Sequence, residues 1–202
     1  MKKLLITVVS LPLLAAPVAL AQATMGKAPS AHPTRGAYNA AAFIQKAGSG
    51  GMFAVLSSDL ALKKATDPRV KEFGRRMAAK HRSSNDKLVS TVRSAQLPPP
   101  PTGLAPAHQD IMDKLSTAWG REFDGAYLDA QVQAHRDAVE LFSSYANEGD
   151  NAALRSFAQQ TLPTLEDHFR HVQTLDGASV NSWRATVRAR ACPGAPKHLC
   201  TP

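Results

Sequence analysis

Cysteine is almost missing from this chain: Cys192 and Cys200 are the only two in 202 residues. A disulfide framework through the body is excluded, as are thiolate metal sites and cysteine nucleophiles before residue 192. In an oxidising compartment the two are expected to pair and close a small loop around Pro193, Gly194 and Pro196; free thiols are the alternative. Aromatic residues make up 6% of the chain, too few to interleave with the basic residues as single-strand binders require, so nucleic acid is not an expected partner. No Gly-x-Ser-x-Gly elbow occurs, and Gly48-Ser49-Gly50-Gly51 lacks the lysine and the preceding strand of a phosphate loop. Nor is any histidine preceded by an acid at the third position. The residues there are Pro29, Ala78, Ala105, Val132, Leu165, His168 and Ala195, so the Glu-x-x-His pairs of carboxylate di-iron bundles are absent.

One apolar run is present. Lys2 and Lys3 precede a stretch from Leu4 to Leu20 broken by Pro12 and Pro17, and Ala19-Leu20-Ala21 supplies a small-x-small pattern. Residues 1–21 therefore read as an export signal cleaved between Ala21 and Gln22, with a membrane anchor as the alternative. The expected location is the periplasm or the periphery of an outer membrane, with no membrane-spanning segment in the mature chain. Residues 22–36, small, polar and proline-containing, read as a flexible lead-in.

The net charge of +8 is a composite. From Lys46 to Arg93 there are 11 basic and 4 acidic residues; from Pro106 to Asp176 there are 5 basic and 12 acidic ones. No acid follows Asp176, whereas Arg184, Arg188, Arg190 and Lys197 do. Two readings follow: oppositely charged helical hairpins attracting one another at their seam, or a basic hairpin and tail that bind anionic envelope components.

The periodicity is helical throughout, and no alternating strand pattern competes with it. A first helix is expected over 38–66, with Phe43, Ala47, Val55 and Leu62 on its apolar stripe and its middle weakened by Gly48, Gly50 and Gly51 into a kink or a close helix contact. Asp67-Pro68 starts a second helix that ends before the run Pro98–Pro101. A short helix covers 106–117 and a long one 120–147, with Glu122 and Asp124 in its first turn, where the helix dipole favours acids. The last helix runs from Asn151 to about Leu175 and carries Leu154, Ala158, Thr161, Leu165, His168, Val172 and Leu175 as a heptad seam, with Pro163 bending it. These elements predict an all-α, ferritin-like four-helix bundle over 37–176, with one long Pro-rich crossover, a short extra helix, and a basic tail over 177–202.

Three histidines fall on apolar faces of three different helices. His81 follows Val70, Phe73 and Met77; His135 shares a stripe with Leu128, Val132, Val139 and Phe142; His168 stands in the heptad seam. Bundles build metal sites from facing helices in this way, and neutral imidazole suits iron, zinc or copper. The alternative is three separate core histidines bonded to neighbours. Asp59 and Asp124 are the weaker candidates for added ligands, since a buried carboxylate needs a partner.

The run Phe43-Ile44, Gly50-Gly51-Met52, Val70-Lys71, Phe73, Arg76-Met77 and His81 is followed by Phe123-Asp124-Ala126-Tyr127, His135, Leu141-Phe142, Phe157-Ala158, Thr161-Leu162-Pro163-Thr164-Leu165 and His168. It resembles the exported bacterial family called domain of unknown function 4142, over roughly Ala37 to Leu175. The resemblance implies a ferritin-like bundle whose family histidines match His81, His135 and His168, and it implies no activity. Family members commonly carry Glu where Ala54 stands and Asp where Lys80 and Ala134 stand. A histidine-only metal site, or a bundle without metal, is what those differences leave. The expectation is an envelope protein that is either non-enzymatic or a weak binder of a transition metal in its core.

Overall fold

The computed structural model describes residues 39–191, with side chains described for 39–177. The expected cleavage point at Ala21–Gln22, the lead-in and the Cys192–Cys200 pair lie outside the described residues.

Five helices follow in order: α1 (Ala40–Lys64), α2 (Pro68–Ser94), α3 (Pro106–Thr117), α4 (Gly120–Glu148) and α5 (Ala152–Ala191). Local chemistry explains most of the boundaries. The Asn39 carboxamide accepts from Ala42 N–H at 2.8 Å to cap α1, and Asp67 accepts from Arg69 N–H at 2.8 Å to cap α2, with Pro68 at its first position. Asn151 accepts from Ala153 and Leu154 N–H at 3.0 and 3.1 Å at the start of α5. Helix α5 continues through Pro163 and runs to Ala191, well past the expected end near Leu175.

The four long helices form a ring in which α1 touches α2 and α4, and α5 touches α2 and α4. Phe43, early in α1, stacks on Tyr145 at the end of α4, with ring centroids 4.1 Å apart. Asp124, early in α4, bonds the turn between α1 and α2. Arg76, early in α2, bonds His171 late in α5 at 3.1 Å. All ring neighbours therefore run antiparallel, which obliges the chain between α2 and α4 to travel the length of the bundle. This is the single long crossover of a ferritin-like bundle.

That crossover lies on the weakened middle of α1, which stays helical. The close contact expected there is found at Gly48, where a Cβ would come within 2.7 Å of the Pro101 ring and 2.9 Å of Pro100. Ser49 Oγ accepts from Ala105 N–H at 2.8 Å and shares a 2.7 Å hydrogen bond with His108 Nδ1. At the far end of α3, Lys64 Nζ donates to the carbonyls of Leu115 and Ala118 at 3.2 and 2.9 Å and lies over Trp119.

The apolar core is in two pieces. One contains Phe43, Ile44, Leu88, Phe142, Tyr145 and Phe157; the other contains Phe73, Met77, Phe123, Tyr127, Leu128 and Val172. Burying a large apolar side chain is worth ~1.5–3 kcal/mol, so either piece is a strong clamp on the bundle. Leu62, expected on the buried stripe of α1, is instead 36% exposed; Ser57, Ser58 and Ala61 face inward there. Among the described residues no helix is long and apolar enough to cross a membrane.

Candidate metal centre

Between the two apolar pieces lies a polar layer. On α2, His81 separates Met77 from Leu88; on α4, His135 separates Leu128 from Phe142; on α5, His168 separates Leu165 from Val172. The three expected histidines thus arrive at one depth. Their ring centroids are 5.5 Å (His81–His135), 5.4 Å (His81–His168) and 5.6 Å (His135–His168) apart. All three side chains are buried, at 8, 2 and 9% exposure.

One ring nitrogen from each lies within 4.8 Å of the others. Three atoms so spaced lie within about 2.8 Å of a common centre, so side-chain shifts of about 0.7 Å would bring them to the ~2.1 Å of a metal–imidazole bond. Three buried ring nitrogens, His81 Nε2, His135 Nε2 and His168 Nδ1, have no hydrogen-bond partner. Buried polar atoms are nearly always satisfied, and three unsatisfied at one spot are a donor set without its acceptor.

Charge reinforces this geometry. Burial holds His81 well below the ordinary imidazole range, helped by the nearby His135 and His168 rings. Burial also lowers His135 to about 4, against the opposing pull of the Gln131 carbonyl. His168 is likewise lowered to about 4 by burial; Asp167 opposes this, and Lys80, His171 and Arg76 add to it. All three are neutral near pH 7, the state a metal ligand requires. Because a carbonyl can only accept, His135 Nδ1 donates to Gln131 O at 2.8 Å. The proton sits on Nδ1, which leaves the buried Nε2 with a free lone pair. Gln131 is itself held by donating from Nε2 to Ser57 Oγ at 2.8 Å, an outer-shell prop of the kind that orients ligands in metal sites.

Neither weaker candidate joins the cluster. Asp59 accepts from Arg82 at 2.7 Å on the outside of the first hairpin. Asp124 is buried, but its carboxylate accepts from Thr66 N–H, Thr66 Oγ1–H and Asp67 N–H at 3.0, 2.6 and 2.9 Å. Of the two acids expected in the first turn of α4 only Glu122 stands there; Asp124 lies just beyond it and satisfies the N-terminus of α2 instead. The cluster of possible ligands among the described residues is histidine alone.

The layer opens on one side into a cavity of about 510 Å³. His81 and His135 line it, together with Ala54, Asn85, Ala138 and Phe142. His108 lines it too and is stacked on Phe53 at 4.9 Å, half-buried. Sequence reasoning passed over His108, because α3 is short and its apolar face weak. The signal that could have found it is the small-residue run on α1, which must accept something against it.

The family pattern described as domain of unknown function (DUF4142) matches residues 25–175. No curated protein is significantly similar in sequence. Among solved structures, a DUF305 protein from Streptomyces coelicolor is similar with a TM-score of 0.59 and 17% identity, over 71% of this chain and 95% of its own. CopM in its Cu(II)-bound form is similar with a TM-score of 0.59 and 16% identity, over 70% of this chain and 97% of its own. At these identities the likeness is one of fold.

Proposed function

The chain belongs to the DUF4142 family, whose description assigns no activity, and we propose from its own site that it is an exported transition-metal-binding protein. The observation that carries this is the convergence of three neutral imidazoles in the bundle core, one nitrogen of each within 4.8 Å of the others, with a buried unpartnered nitrogen on every ring. Apolar side chains would fill this layer without leaving such atoms unsatisfied.

Copper leads zinc and iron as the ion. For nitrogen donors the affinity of divalent ions rises from iron to copper and falls again at zinc. That a similar bundle has been solved with Cu(II) bound supports the choice. His81, His135 and His168 hold the ion in this reading; Gln131 and Ser57 orient His135. The role is binding or carriage and not catalysis.

The other reading, adhesion of the basic hairpin to anionic envelope components, has less in its favour. Arg75 and Arg82, two of the cations it would use, are already paired with Glu72 and Asp59.

The deciding experiment is metal content of the full purified chain after equilibration with copper, zinc or iron, beside the His81→Ala/His135→Ala/His168→Ala variant. About one copper per chain in the wild type, lost in a variant that keeps its helical circular dichroism, is the expected result. A folded wild type that retains no ion, or a variant that retains as much, overturns the reading.

A further inference from the structure

We propose that the cavity beside the histidines is a ligand chamber, through which a small molecule with an apolar body and one nitrogen donor reaches the bound metal. This rests on the metal-binding reading and adds a second binding partner to it.

Size is the first argument. The space reaches solvent past the exposed Lys46, Asp137 and Glu140. Its volume of about 510 Å³ falls in the range of small-molecule sites, about 300–1,000 Å³. It cannot be dismissed as loose packing, because the apolar cluster that contributes Leu88, Phe142, Phe157 and Leu165 to its wall is otherwise well buried.

Composition is the second. Besides Lys46 and Ser49, the α1 wall is built of Ala47, Gly50, Gly51 and Ala54, small residues where larger apolar ones would occupy the space. Gly51 has a specific consequence: a Cβ there would collide with the Asn85 carboxamide, so its absence lets Asn85 lie across α1 and line the chamber. The volume is thus kept open by residue choice along a whole helix face.

The third argument is where the chamber leads. Of the three histidines, His81 and His135 line it and His168 does not, so the site is walled on the His168 side and open on the other. Each of the two lining rings presents an unpartnered Nε2. Structural metal sites are closed by four protein ligands, whereas three ligands facing a cavity leave a position for an added one.

The lining then specifies the occupant. Ala54, Leu88, Phe142, Phe157 and Leu165 offer an apolar bore; beside the His81 and His135 imidazoles, Lys46, Asp137 and Glu140 bring charge to the wall, and His108, Asn85, Thr161 and three serines bring neutral polar groups. Charges of both signs make no field that selects an ion. A neutral molecule with an apolar body and a single donor atom satisfies both parts.

The test uses the full chain loaded with copper, whose content is measured first, so that failure to bind metal is seen separately. Imidazole and 4-phenylimidazole are titrated against the Cu(II)-loaded protein by electron paramagnetic resonance and calorimetry. Both should change the copper spectrum, and 4-phenylimidazole should bind at least tenfold more tightly. Ala54→Leu and Ala138→Leu, which narrow the bore and leave all three histidines in place, should keep the copper and lose that tenfold preference. Copper bound with a spectrum unmoved by either ligand overturns the open position. Equal affinity for the two ligands, or a preference that survives both narrowed variants with copper retained, overturns the chamber.

Discussion

The residue that governs acid sensitivity is the buried histidine. His135 and His168 are lowered from 6.5 to about 4 by burial. Between pH 4 and 6.5 the unfolded chain therefore binds more protons than the folded one, and stability rises with pH across that window. It is complete above pH 6.5 and is lost as pH falls toward 4, by an amount on the order of a few kcal/mol for the pair. Urea midpoints of the metal-free protein should trace that slope, and His168→Leu should flatten it. At Asp124 the concern is different. Asp124→Ala leaves Thr66 and Asp67 N–H unsatisfied and should cost about 1–3 kcal/mol in chemical denaturation, with metal content unchanged because the carboxylate stands away from the histidines. A fall in metal content in a folded Asp124→Ala protein would contradict this placement.

Among the elements, α1 and α4 respond oppositely to the same substitution. Gly48 faces two proline rings, whose Cδ and Cβ atoms an added methyl would meet at 2.7 and 2.9 Å. Prolines cannot swing aside as a lysine tip would, so Gly48→Ala should destabilise by about 1–3 kcal/mol through overpacking. Gly125, inside α4, has nothing within 4 Å of the same position. Gly125→Ala should stabilise by up to ~1 kcal/mol through helix propensity alone. Thermal melts of the two variants should move in opposite directions; a stabilised Gly48→Ala would mean that the crossover does not rest on α1.

On the scale of the whole molecule, the two hairpins are held by their apolar clusters and not by salt bridges. The pairs Arg69–Asp67, Arg75–Glu72 and Arg82–Asp59 lie within the first hairpin, and Arg170–Asp167 lies within α5. No ion pair among the described residues crosses the seam, so the expected attraction between basic and acidic halves acts only at longer range, where salt screens it. Metal binding should instead be the lever on global stability, since it ties α2, α4 and α5 together in the layer between the clusters. At a free ion concentration a hundred times the dissociation constant, binding adds ~2.7 kcal/mol. For a domain of this size that is roughly 5–10 °C in Tm, a shift that the triple-alanine variant should lack.

Helix number, order and most boundaries were legible in the chain, because capping residues, prolines and heptad spacing act within a few residues of where they stand. Asp67-Pro68 and the Pro98–Pro101 run are local instructions, and α2 and the crossover obey them. The apolar face of each histidine was legible for the same reason: His81, His135 and His168 each keep step with the core residues of their own helix. The misplaced Leu62 shows the limit of that reading, since a stripe on α1 interrupted by glycines and serines has no unique phase. What one sequence does not carry is the height of one helix against another. That height is decided by long-range contacts, such as Asp124 on the α1–α2 turn and Phe43 on Tyr145, and it is what brings three separate imidazoles within 4.8 Å. The cavity and His108 were hidden for a related reason. A void belongs to no residue, and it exists only where the small side chains of α1 meet helices that do not fill the space opposite them.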